Sequence, residues 1–163
     1  MTETGAADPV FTRLARLRGE WRGRGAGRYP TIDSFEYEER LDFEPGELLL
    51  HYEQRTLELP GRTPSHWESG FVRAVDGRVE VSNAQNSGRV EVLTGELVPG
   101  AGDVDFQLTL EHRVLQHDER MVASRRRWTR TGDRLHYIVW MATRTTPEPE
   151  LLPHLEATLV REA

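Results

Sequence analysis

Between Phe35 and Leu159 the apolar residues recur at every second position, run after run, and turn signals separate most of the runs. Phe35, Tyr37, Leu41 and Phe43 share one parity, interrupted by Glu39. Leu48, Leu50 and Tyr52 lead into Gln54 and Thr56, and Trp67, Ser69, Phe71 and Val75 follow. Then come Val79 with Val81, Val90 with Val92, and Val104, Phe106, Leu108 and Leu110. Leu135, Tyr137, Val139 and Met141 precede a last run of Leu155, Ala157 and Leu159. The segments "EPGE", "VDGR", "QNSG", "PGAGD" and "RTGDR" supply reversals. A period of two puts one set of side chains on one face of an extended chain. Short strands with tight turns predict an all-β, antiparallel protein of roughly nine or ten strands. Free strand edges invite aggregation, so closure into an up-and-down barrel is the simpler solution. A barrel of that strand number has room for an interior cavity.

The one departure from this rhythm is near the N-terminus. "DPVFTRLARLRG" places Val10, Leu14 and Leu17 at helical spacing, with Asp8 as cap, Pro9 in the first turn and Gly19 as terminator. Residues 1–8 are small and polar, and are expected to be a disordered segment ahead of a single domain spanning 9–163. The chain has 163 residues, which favours one domain with a sizeable core. Its net charge of −6 argues against nucleic-acid or anionic-membrane binding, which needs a basic footprint. With no cysteine, disulfides, thiolate nucleophiles and cysteine-ligated metals are excluded. No apolar run approaches a membrane span, and the N-terminus lacks the order of a signal peptide. A soluble cytoplasmic protein is the expectation.

Two segments carry most of the chemical signal. "GEWRGRGAGRYPTI", from Gly19 to Ile32, spaces Gly19, Trp21, Gly23 and Gly25 as G-x-W-x-G-x-G. Its glycines either permit close backbone approach or open room for a flat ligand, while Trp21 plugs a barrel end under an arginine such as Arg161. "LLPHLEATLV" puts His154 directly after a proline, at the mouth of the last strand. Of the other histidines, His51 and His136 have the parity opposite to their strands' apolar series and read as outward. His66 is a distal hydrogen-bond candidate by residue type alone. "SRRRWTR", Ser124 to Arg130, reads as a strand with outward arginines or as a steering patch for anions.

Taken in order, "GEWRGRGAGRYPTI", "FEYEERLDF", "LLLHYEQRT", "SHWESGFVR", "NAQNSGRVEVLTGEL", "MATRTTPE" and "HLEATLVR" resemble the nitrobindins. These are haem-binding β-barrels similar in shape to fatty-acid-binding proteins and lipocalins. The resemblance covers about residues 14 to 161. It implies a ten-stranded barrel holding one haem b per chain at an open end, with His154 as the iron's protein ligand. It also places Thr31 near the haem, with Gly19, Trp21, Gly23 and Gly25 in the cofactor-binding segment. The implied activity is isomerisation of peroxynitrite to nitrate at ferric haem, with nitric oxide as a second small ligand. A homodimer is among the expected assemblies. The connection "ATRTTPEPELLP" between Met141 and His154 is longer than the resemblance implies. A barrel that carries a small apolar ligand without haem is the alternative.

Overall fold

The computed structural model describes residues 8–163. Apart from Asp8, the expected disordered segment 1–8 lies outside the described residues. Asp8 itself caps α1 (Pro9–Leu14): its carboxylate accepts hydrogen bonds from the backbone N–H groups of Val10 at 2.8 Å and Phe11 at 3.4 Å. Pro9 suits the first turn because its missing N–H would have no helical partner there. A short 3₁₀ turn, Ala15–Leu17, follows, and Leu14 and Leu17 are fully buried.

Ten strands then run antiparallel to one another and close. They are β1 (Gly19–Tyr29), β2 (Ile32–Pro45), β3 (Leu49–Glu58), β4 (Thr63–Val75), β5 (Arg78–Gln85), β6 (Val90–Pro99), β7 (Phe106–Gln116), β8 (Met121–Thr131), β9 (Arg134–Thr143) and β10 (Leu152–Arg161). Each pairs with its neighbours in sequence, and β10 pairs with β1 to shut the barrel. Closure removes both sheet edges. The glycine-rich segment is a full strand, β1, in register with Phe35–Phe43 on one side and Leu155–Arg161 on the other.

One end of the barrel is sealed. Trp21 is fully buried, and its indole N–H donates to the Leu17 carbonyl at 2.8 Å, tying β1 to the helical cap. Arg13 donates to the carbonyls of Gly102 and Asp105 and fixes the cap to the β6–β7 turn. The guanidinium over the Trp21 ring is that of Arg130, 5.2 Å from the centroid, and not that of Arg161. Arg161 instead lies over Gly19. The opposite end is the one where β1 finishes and β10 begins.

Alternation predicts the inward face correctly on β7 and β9, where Phe106, Leu108, Leu110, Leu135, Tyr137 and Met141 are buried. It fails on β4 and β6. Trp67 and Phe71 point outward, 49% and 46% exposed, and Val90 is also exposed. The inward residues there are Glu68 and Val72 on β4, and Glu91 and Leu93 on β6. Periodicity assigns a parity but not a face when both parities carry apolar residues. Outside, Trp67 is covered by the Arg55 guanidinium at 4.2 Å, and Phe71 packs on His51 at 5.5 Å. Inside, the carboxylates are paired, as described below.

Candidate functional site

β10 does not run regularly. Pro153 pairs with Trp140 and Leu155 with Val139, so His154 is an extra residue with no partner on β9. It is a β-bulge, a device that re-aims a side chain. In a regular strand His154 would face away from Leu155, Ala157 and Leu159. The bulge lets His154 and Leu155 both turn toward the interior: His154 is 4% exposed, and Leu155 packs against the core. The longer connection does not pull it out. Residues 147–150 are all exposed, so the added length loops into solvent.

The imidazole packs against Tyr29, the last residue of β1, with ring centroids 4.7 Å apart. Nδ1 is buried and has no hydrogen-bond partner. Burial holds the pKa of the ring below its ordinary value, which favours neutral imidazole. Neutral imidazole is the form that donates to a metal.

His154 lines a cavity of about 210 Å³ at the mouth, with Tyr29, Thr31, Arg89, Asp118 and Arg120 around it. Below it lies a chamber of about 240 Å³ in the barrel interior, walled by Phe35, Tyr37, Val139 and Leu155. Tyr29, His66, Ser87, Arg89 and Met141 border both, so the two spaces adjoin.

The floor of the inner chamber is polar. The Glu39 carboxylate accepts from Gln54 at 2.7 Å and from the Tyr137 hydroxyl, and the Tyr137 and Tyr37 hydroxyls are 2.8 Å apart. Burial away from water pushes the Glu39 pKa up to about 7. Beside it, Arg126 donates to Glu68 at 2.5 and 3.1 Å and to Glu91 at 2.5 Å. Glu68 also accepts from Tyr52 at 2.5 Å and sits 3.0 Å from Nε2 of His66. Burial alone would raise the Glu68 pKa, but the Arg126 charge and these hydrogen bonds overcome it and hold the carboxyl well below the usual range.

Of the sequence-predicted site residues, the structure brings His154 and Thr31 to one mouth. Gly19 and Trp21 lie at the sealed end. Gly23 and Gly25 border neither the mouth nor the chamber. The room they leave is taken by protein: a Cβ on Gly23 would meet Thr158 O at 2.0 Å, and one on Gly25 would meet Tyr37 Cζ at 2.4 Å. These glycines serve close packing. "SRRRWTR" alternates: Arg125 pairs outward with Glu111 at 2.6 Å, Arg127 lies 5.1 Å from the Trp140 ring, and Arg126 and Arg130 are buried on the inward parity. His51 and His136 are outward, on Ser69 and Glu156. Tyr29, Arg89 and Glu39 were not singled out by sequence reasoning. For Glu39 a signal existed, since it interrupts the apolar series of β2 without breaking its parity.

A closed antiparallel barrel, sealed at one end and hollow toward the other, is a small-molecule-binding barrel of the lipocalin-like class. The chain matches the family described as the THAP4-like, heme-binding beta-barrel domain over residues 10–161, and it belongs to that family, the nitrobindins. It is 37% identical over 160 residues to an Arabidopsis thaliana protein named peroxynitrite isomerase Rv2717c, covering 96% of this chain and 92% of that one. It is 38% identical over 156 residues to peroxynitrite isomerase 1 of Rhodococcus jostii, covering 94% and 85%. The crystal structure of Rv2717c from M. tuberculosis superposes with a TM-score of 0.86 at 34% identity, over 97% of this chain and 100% of that chain. Haem is thus the cofactor of the family. The residues present fit such a group: an imidazole with an orphaned nitrogen lines a mouth cavity bordered by Tyr29, Met121 and Met141, with arginines at its rim.

Proposed function

We propose that this protein is a haem-dependent peroxynitrite isomerase in which His154 holds the iron at the barrel mouth. The observation that carries the reading is the β-bulge that turns a buried, unpartnered imidazole into the mouth cavity. A buried polar atom without a partner costs roughly 1–3 kcal/mol. A metal bound to the ring offsets that cost. The names of the relatives and the family's haem-binding description supply the chemistry that the geometry accommodates.

Ferric haem, when bound, would supply a Lewis-acidic metal for a small anionic ligand. Every other requirement falls on the chain. His154 fixes the group from one side, Tyr29 holds the ring of His154, and Thr31 borders the mouth. The walls of the inner chamber would exclude bulk water and confine a small reacting anion. Rearrangement of peroxynitrite to nitrate conserves every atom and the charge, so no general base is required. The same chamber admits nitric oxide, a smaller neutral ligand. A cysteine-free chain fits the reducing cytoplasm that this reading assumes. A simple apolar carrier is less well served, because Gln54, Glu68 and Arg126 make the chamber lining polar.

Hemin titration into the purified protein tests the assignment. A saturable Soret band at one equivalent, lost in His154→Ala with the fold intact, is expected, together with faster nitrate formation from peroxynitrite in stopped flow. A Soret band unchanged in His154→Ala removes His154 as ligand, and unchanged peroxynitrite decay with the loaded protein removes the activity.

A further inference from the structure

Arg89, in the turn between β5 and β6, is 9% exposed and lines both the mouth and the inner chamber. Its Nε is buried without an acceptor. The nearest carboxylates are Glu91 at 3.7 Å and Asp118 at 3.8 Å, beyond hydrogen-bond reach. Both hold another arginine more closely, although Glu91 Oε1 is itself buried without a hydrogen-bond partner. Glu91 takes a 2.5 Å hydrogen bond from Arg126, and Asp118 accepts from Arg120 at 3.0 and 3.2 Å. Arg89 is therefore a nearly buried cation held by two long ion pairs, with an Nε donor that no acceptor satisfies. The turn that presents it is fixed: Gln85 N–H donates to the Arg89 carbonyl at 2.9 Å, and Gly88 adopts φ +92°, so the guanidinium is not free to swing into solvent with a mobile loop.

The same mouth thus holds two groups that each have a buried nitrogen without a hydrogen-bond partner. One is an imidazole suited to a metal, and the other is a guanidinium suited to a planar carboxylate. Haem b carries both a metal and carboxylates. We propose that Arg89 is the carboxylate-recognising residue of this site, taking a propionate of the haem whose iron His154 holds. The inference rests on the haem reading above and adds a specificity to it: the mouth selects porphyrins that carry a free acid. The other arginines around the cavity are less suited. Arg126 already donates three hydrogen bonds to Glu68 and Glu91, leaving only its Nε without a partner, and Arg120 is 75% exposed and engaged with Asp118. Thr31 and Ser87 add hydroxyls at the same rim.

The test compares hemin with hemin dimethyl ester, whose propionates can neither ionise nor accept a charge-assisted fork. Affinity is read from the Soret band, and from competition with apomyoglobin, without any assay of activity. Wild-type protein is expected to bind the free acid roughly tenfold or more tightly than the diester, the scale set by a charge-assisted hydrogen bond. Arg89→Gln is expected to lower hemin affinity to the diester's level and leave the diester's own affinity unchanged. Arg89→Lys, which keeps charge but loses the fork, should restore only part of the preference. Equal wild-type affinity for the two porphyrins overturns the proposal without any variant, so an unstable Arg89→Gln does not shield it. A preference that persists in folded Arg89→Gln also overturns it. If wild type binds neither porphyrin, the haem reading itself falls and takes this one with it. If hemin binds through His154 with no acid preference, only the role of Arg89 falls.

Discussion

The His154 ring leans on Tyr29 with centroids 4.7 Å and planes 41° apart, and Tyr29 in turn stacks on Phe35 at 6.1 Å and 7°. The bulged residue of β10 is therefore held from the side by the end of β1, across the strand pair that closes the barrel. This makes Tyr29 a positioning residue for the imidazole. Tyr29→Ala is expected to weaken hemin binding about three- to tenfold, the worth of an aromatic contact of about 0.5–1.5 kcal/mol. Tyr29→Phe keeps the ring and is expected to match wild type. Hemin titration of the two variants checks both, and equal losses would point to the hydroxyl instead of the ring.

The interior carboxyl of Glu39 makes stability depend on pH in a particular direction. Its pKa is raised by burial from the ordinary 4.5 to about 7, so the folded state holds a proton that the unfolded chain releases. Stability from this group is complete below about 4.5 and is lost as pH rises through about 7. The full loss is of order 3 kcal/mol. Glu39→Gln keeps the shape and a hydrogen-bonding amide. It is expected to raise the melting temperature at pH 8 and leave it nearly unchanged at pH 5. Thermal melts at the two pH values check this.

How much of this was legible in the chain follows from what each signal measures. Alternation revealed strand count, closure and the faces of β7 and β9. On β4 and β6 it chose the wrong face, because Trp67 and Phe71 are larger and more apolar than the ion-paired Glu68 inside. Burial of a carboxylate depends on a partner far along the chain: Arg126 lies 58 residues from Glu68, and no local pattern announces it. His154 was visible as a histidine at a strand mouth, but its inward aim depends on a bulge, which is a property of pairing with β9. Glycine spacing in β1 signalled close approach correctly, yet what approaches is Tyr37 and Leu159. Arg89 gave no signal, since the loose pairing of a buried cation is recognised only once the distances to its neighbours are known.

The buried pair of Arg126 with Glu68 and Glu91 predicts the acid limb of stability. The Glu68 pKa is held below the ordinary 4.5, so its contribution is present above that value and is lost as pH falls below it. Arg126→Met removes the cation that hydrogen-bonds both buried carboxylates, and is expected to destabilise the fold at pH 7 by about 3–5 kcal/mol. It should also abolish most of the acid sensitivity that Glu68 confers. Urea denaturation between pH 3 and 7 reads both effects, and a variant that loses stability in parallel with wild type across that range would contradict the assignment.

Gly25 tests whether the glycines of β1 serve packing. A Cβ there would lie 2.4 Å from Cζ and 2.5 Å from the hydroxyl of Tyr37, and 2.6 Å from the Glu156 carbonyl. Tyr37 cannot retreat freely, because its hydroxyl meets that of Tyr137 at 2.8 Å and Tyr137 donates to Glu39. Gly25→Ala is therefore expected to cost about 1–3 kcal/mol through overpacking. The cost should shrink in a Tyr37→Leu background, where the ring is gone, but not vanish, since the Glu156 carbonyl belongs to the β1–β10 ladder and stays in place. A double-mutant cycle of the two substitutions by urea denaturation measures the coupling. Additive costs would mean that the tyrosine does not occupy the space that Gly25 leaves. In that case the glycines would again be available as the floor of a ligand site.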